Sequence, residues 1–220
     1  MRLQKITVKL SLLTATAFFL SNPQAYATKS TTTKIIMIRH GEKPNKNADT
    51  KLLDCQGLNR ALKLPQVLIQ KFGTPDFIFA PNHDVTLEVP TNGTTSASAD
   101  SSFRPFLTIV PLAIQLNMPI NLSFNYTDEK SMPKEFLKDQ YAGKTIIISW
   151  EHKKLVKIAQ GIYIQGNNNN PNDIPAWDDS DFDSIDIINI TRDPNSGYTF
   201  TTFAQDKEGL NAQLNANCPS

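Results

Sequence analysis

Arg39-His40-Gly41-Glu42 follows an apolar run at residues 35–38. Arg104 comes after a second such run, and Glu151-His152 closes a third. Two arginines, two histidines and a carboxylate form a set suited to phosphate. Guanidinium forks match phosphoryl oxygens and stay charged at any working pH. A neutral histidine offers a lone pair that can attack phosphorus, provided its other ring nitrogen is held so that the tautomer is fixed. Gly41, lacking a Cβ, is expected to let the backbone turn sharply and approach a ligand closely. His83 stands apart in a polar loop and reads as structural.

These residues need rigid mounts at one place. Residues 35–38 are continuously apolar, as a strand buried on both faces should be, and 76–80 and 145–149, with apolar centres at 77–80 and 146–148, read as two more strands. Between them, apolar residues recur at helical spacing over 58–72, 103–116 and 152–164. The first of these patterns ends at Gly73 with Pro75 beyond, and Pro65 inside it should kink or split the helix. A short extended piece falls near 120–122. Residues 91–102 are small and polar and read as a loop, and 184–191 with 198–203 read as a hairpin across Asp193-Pro194-Asn195-Ser196-Gly197. Such alternation implies an α/β chain, a three-layer α/β/α sandwich on a mainly parallel sheet. Ligands bind such sheets at the C-terminal ends of the strands, where Arg39, His40, Glu151 and His152 fall.

The N-terminus belongs to a different element. Arg2, Lys5 and Lys9 stand with no acid among residues 1–9, residues 10–20 are almost wholly apolar, and Ala25-Tyr26-Ala27 supplies a cleavage site. This predicts a signal peptide over 1–27 and a single domain over 28–220, periplasmic or secreted. The apolar core is short of the roughly 20 residues that span a bilayer, so no stable membrane anchor is expected after cleavage. Losing 1–27 removes three of the 22 basic residues and none of the 21 acidic ones, which leaves a net charge of −2. That is no field for a nucleic acid. Cys55 and Cys218, in an oxidising compartment, form a disulfide or remain as buried thiols. Neither has a metal-ligand partner at zinc spacing, and no cofactor is expected.

Arg39-His40-Gly41-Glu42 after an apolar strand resembles the signature of the histidine phosphatase superfamily, whose fold is phosphoglycerate mutase-like. Leu53-Asp54-Cys55-Gln56-Gly57-Leu58-Asn59-Arg60-Ala61 is similar to that family's Leu-Thr-x-x-Gly-x-x-x-Ala segment. Ser102-Phe103-Arg104 with Thr108 resembles its Ser-x-x-Arg-Ala-x-x-Thr helix start, with the serine one place nearer and Pro105 for the alanine. The strand at 146–149 followed by His152 resembles its second histidine. The resemblance runs in the family's order from residue 34 to about 160. It implies that His40 becomes phosphohistidine, that Arg39, Arg104 and His152 bind the phosphoryl oxygens, and that water discharges the phosphoenzyme.

A carboxylate should protonate the leaving alcohol, and the resemblance leaves three candidates. Asp128 and Glu129 lie between the second arginine and the second histidine, while Glu151 precedes His152. In one branch an aspartate follows that histidine, where this chain has Lys153. Glu42 reads as a partner of an arginine, Trp150 and Trp177 as packing residues, and 179–183 as a solvated acidic turn that lacks the glycine and glutamate of a calcium loop. The segment between the second strand and Arg104 is longer than in many relatives and could rim the site. Two functions fit. The first is an exported phosphomonoesterase, a histidine acid phosphatase-like hydrolase acting on a small phosphorylated molecule. The second is a non-catalytic phosphate-binding protein that retains the arginine pocket.

Overall fold

The structure is a computed structural model that describes residues 29–44, 51–82, 103–167, 170–194 and 198–219. The expected signal peptide, His83 and the polar loop at 91–102 lie outside the described residues. In chain order the elements are β1 (Thr31–Arg39), α1 (Cys55–Phe72), β2 (Phe77–Phe79), α2 (Arg104–Leu116), β3 (Ile120–Asn121) and α3 (Met132–Phe136). Then come β4 (Thr145–Trp150), α4 (His152–Asn167), β5 (Ser184–Asp193) and β6 (Tyr198–Lys207). Six strands form one sheet in the order β3-β2-β4-β1-β5-β6. The first four in that order are parallel, and β5 runs antiparallel to both β1 and β6. The sheet is therefore mixed but mainly parallel, and helices cover both faces.

β1 shows why its apolar run is unbroken. Ile35 and Met37 enter one core with Met132 and Phe136 of α3 and Leu155 and Ile158 of α4. Ile36 and Ile38 enter the other core with Leu64 and Leu68 of α1 and Ile109 and Leu112 of α2. Strand residues alternate between faces, so a sheet with two covered faces needs an apolar residue at every position. All four of these β1 residues are fully buried, and each such side chain contributes about 1.5–3 kcal/mol. Trp150 and Trp177 are packed in the α3/α4 core, as their composition suggested.

The helix ends follow local chemistry. Asp54 caps α1 by accepting the Gly57 N–H at 2.8 Å, so the helix begins before the apolar periodicity does. Gly73 ends it at φ 76° and returns its N–H to the Ile69 carbonyl. Pro65 was expected to kink or split this helix, yet α1 runs 18 residues unbroken through it. An interior proline forfeits one backbone bond at a cost of about 3 kcal/mol. Here its ring is buried on the face that carries Leu64 and Leu68, which offsets that loss.

Cys55 and Cys218 form a disulfide across a sequence separation of 163 residues, tying the C-terminal tail to the first turn of α1. The tail also lies along α1 through Asn59 Nδ2, which donates to the carbonyls of Asn215 and Asn217 at 2.8 and 2.7 Å. Closing so long a loop restricts the unfolded chain, and the double variant C55S/C218S should lose about 3–5 kcal/mol in equilibrium denaturant unfolding. A midpoint unchanged from the parent would mean that the tail contacts alone hold this end of the chain.

Candidate active site

The pairing of β1 with β4 assembles the site. Arg39 is registered opposite Trp150, and the His40 N–H continues the ladder to the Trp150 carbonyl at 3.0 Å. His40 therefore lies beside Glu151 and the first residue of α4, His152. Arg104 arrives from the other face of the sheet. Ser149 Oγ donates to the Pro105 carbonyl at 2.8 Å, fastening the start of α2 to β4. Thr108 Oγ1 accepts the Gly41 N–H at 2.9 Å and donates to the Arg104 carbonyl at 2.7 Å. The Arg104 side chain donates from Nε to the Leu52 carbonyl at 3.1 Å. Arg39, His40, Arg104 and His152 are all buried.

Gly41 was expected to serve a sharp turn, but its φ is not positive. It is needed for closeness instead. A Cβ there would lie 2.9 Å from the Gly57 carbonyl oxygen, and a Cβ on Gly57 would lie 2.4 Å from that of Glu42. The two glycines let the loop after β1 sit directly on the first turn of α1, which accounts for both motif positions by one contact.

His40 is held as a neutral imidazole. Its Nδ1 lies 2.7 Å from the Gly41 carbonyl, so Nδ1–H donates there and Nε2 keeps the lone pair. Burial lowers the pKa of the imidazole to about 3, and the charges of Arg39 and Arg104 oppose the cation further, against a partial offset from the Gly41 bond. The ring is neutral at any ordinary pH.

Arg39 and His152 share a support that the sequence reading missed. Nη1 of Arg39 donates to the carbonyls of Asp178, Asp179 and Asp181 at 3.3, 2.8 and 2.9 Å, and its guanidinium carbon stacks 3.8 Å from the Phe182 ring centre. His152 Nε2 lies 2.6 Å from Asp179 Oδ1, and Lys153 Nζ meets the same oxygen at 2.9 Å. The stretch read as a solvated acidic turn is thus a strap across the site. No local spacing in Asp179-Ser180-Asp181-Phe182-Asp183 announces this, because the contacts are made by main-chain carbonyls and depend on tertiary position.

Glu151 caps α4, its Oε2 accepting the Lys154 N–H at 3.0 Å. Burial raises its pKa, but the neighbouring His152 and the N–H groups of Lys153 and Lys154 outweigh that and bring it down to about 2. Glu151 Oε1 lies 2.8 Å from His152 Nδ1, a close carboxylate–imidazole contact. Among the described residues, three buried side-chain polar atoms lack a hydrogen-bond partner: Arg39 Nε, His152 Nδ1 and Glu208 Oε1. Two of the three are nitrogens at this one sheet edge.

The other carboxylates expected near the site are engaged elsewhere. Asp128 Oδ2 accepts the Asn125 N–H at 2.8 Å within its own turn. Glu129 holds Lys154 and Lys157 at 3.0 and 3.5 Å. Glu42 partners an arginine, as its place suggested, and that arginine is Arg60. The fully buried guanidinium of Arg60 meets Glu42 at 2.7 Å, Asn211 at 2.6 Å, Asp183 at 3.4 Å and Glu208 most closely of all. Glu208, for which the sequence offered no role, joins the loop after β1 to the chain after β6. Among the described residues no group of three His, Cys, Asp or Glu could hold a metal ion, and no helix is long and apolar enough to cross a membrane.

A scan against models of protein families finds no match, and a search of curated proteins finds none. Solved structures do match. The chain is similar to the protein histidine phosphatase SixA complexed with tungstate, at 11% identity and TM-score 0.48, over 80% of this chain and 97% of that one. A putative SixA from Agrobacterium tumefaciens matches at 11% identity and TM-score 0.43, over 78% and 97%. A phosphoserine phosphatase variant from Entamoeba histolytica in complex with phosphoserine matches at 12% identity and TM-score 0.44, over 83% and 100%.

The Arg60 network carries a pH signature. One guanidinium faces three carboxylates, and burial pushes the pKa of Glu208 up to about 8, with Asp183 and Glu42 adding to that against the pull of Arg60. A carboxyl whose folded pKa exceeds its unfolded value stabilises the fold while protonated and ceases to as pH rises through the folded value. Stability should therefore fall between about pH 5 and 8, and E208Q should flatten that fall in thermal unfolding across the range.

Proposed function

We propose that this chain is an exported phosphomonoesterase that works through phosphohistidine on His40. The observation that carries the reading is the buried, neutral His40 flanked by Arg39, Arg104 and His152 at one sheet edge. Arg39 Nε is buried there without a protein partner, and a bound anion would satisfy it. The Cys55–Cys218 disulfide and the leader-like residues 1–27 support an oxidising, periplasmic or secreted location.

In the first step the Nε2 lone pair of His40 attacks phosphorus as the bond to the ester oxygen breaks, and the oxyanion that leaves takes its proton from solvent. Arg39, Arg104 and His152 oppose the charge on the phosphoryl oxygens. Water then attacks the phosphohistidine, the P–N bond breaks, and the water proton passes to a carboxylate. Glu151 is the carboxylate best suited to this. Its charge acts on both His40 and Arg39, whereas the contacts of Asp128 and Glu129 lead away from them. Being ionised, Glu151 is a base for water more readily than an acid for the leaving group. Aryl phosphates should consequently be turned over far faster than alkyl phosphates, with kcat/KM for p-nitrophenyl phosphate exceeding that for a simple alkyl ester by at least about 100-fold.

Rapid quench with labelled p-nitrophenyl phosphate should trap an acid-labile phosphoryl group that is absent in H40A, and metal chelation should leave turnover intact. The ionised state of Glu151 also favours a second reading, in which the pocket binds phosphate without turning it over. In that case inorganic phosphate raises the melting temperature of the parent and not of R39A, while no phosphoenzyme or p-nitrophenol forms.

A further inference from the structure

We infer that Asp179 is a positioning residue that fixes the ring orientation of His152 at the phosphate site. The inference rests on the phosphate site proposed above and extends it to a residue outside every motif in the sequence.

The two nitrogens of His152 have different surroundings. Nε2 points to the rim, where it lies 2.6 Å from Asp179 Oδ1 on a side chain that is 71% exposed. Nδ1 points inward, is shielded from solvent and lies 2.8 Å from Glu151 Oε1, whose charge also reaches His40 and Arg39. An ionised carboxylate can only accept a hydrogen bond, so Nε2 carries the hydrogen and the ring cannot flip without losing that bond. The pKa of Asp179 is brought down to about 2 by its bonds to Lys153 and His152, so it remains an acceptor at working pH.

Asp179 is itself held in place. Its carbonyl oxygen accepts Arg39 Nη1 at 2.8 Å, so one residue grips Arg39 with its main chain and His152 with its side chain. The flanking carbonyls of Asp178 and Asp181 take the same nitrogen, and Phe182 covers the guanidinium. The strap therefore sets the spacing between two phosphate-binding groups that come from different strands. The charged groups around the Asp179–His152 contact are Lys153 and Glu151 on the α4 side, with Arg39 and Asp181 across the strap.

Three variants separate positioning from mere structure. D179A removes the acceptor, D179N keeps an oxygen that can accept from Nε2, and K153A removes the lysine pair while leaving Asp179 in place. With p-nitrophenyl phosphate, D179A should lose between about 10-fold and 100-fold in kcat with KM changed by less than about threefold, and D179N should recover most of that loss. K153A should resemble the parent. Independently of turnover, nitrogen-edited NMR should show a slowly exchanging Nε2–H of His152 in the parent and in D179N, and no such signal in D179A. Parent-like kcat in D179A with the Nε2–H signal retained would overturn the assignment. Should the parent itself prove inactive, the phosphatase reading fails, and the NMR comparison alone decides whether Asp179 orients His152.

Discussion

The pairing of β1 with β4 is the constraint on which the site depends. A parallel ladder allows only registers two residues apart if each face is to keep its apolar set. In the observed register Ile35 and Met37 share one core with Ile146 and Ile148, while Ile36 and Ile38 share the other with Ile147. A slip of one residue would turn Arg39 into the α1/α2 core and bury a charge among leucines. The packing of four isoleucine-rich positions thus decides which residue stands next to His40, and the apolar strand acts as a ruler for charged residues that lie beyond its end.

Two further restraints convert that alignment into a site of defined width. On the α1/α2 face, the contact of Gly41 with Gly57 and the Thr108 bonds bring Arg104 inward. On the opposite face the strap from Asp178 to Phe182 holds Arg39 and His152 from outside. The site is built between two independently packed layers, and His40 rides at the end of the strand between them. Its neutrality follows from the same placement, since burial and two flanking guanidinium groups both disfavour the imidazolium.

Much of this was legible in the residue order. The apolar runs identified the strands, and the residues just past them identified the edge that matters, because periodicity and strand polarity are local properties. Arg39, His40, Glu151 and His152 come together there, as their positions after strands implied. The strap was not legible, since Arg39 is held by carbonyl oxygens that every residue possesses and no side-chain pattern reports them. Glu208 was unreadable for a related reason: its partner Arg60 lies 148 residues earlier, and nothing at either position marks the pairing. That α1 is not split at Pro65 was not legible, because the cost of a lost backbone bond is local, whereas the burial that offsets it belongs to the assembled core.

The Arg60 cluster has a consequence for the order in which the protein is made. Arg60 is fully buried, and the carboxylates that neutralise it come from residues 42, 183 and 208, the last near the end of the chain. A growing chain that has reached only β4 already holds β1, α1 and α2, yet it would have to bury this guanidinium against Glu42 alone. That cost keeps the first turn of α1, and with it the loop that carries His40, from settling until synthesis is nearly complete. The edge that carries His40 is therefore finished last.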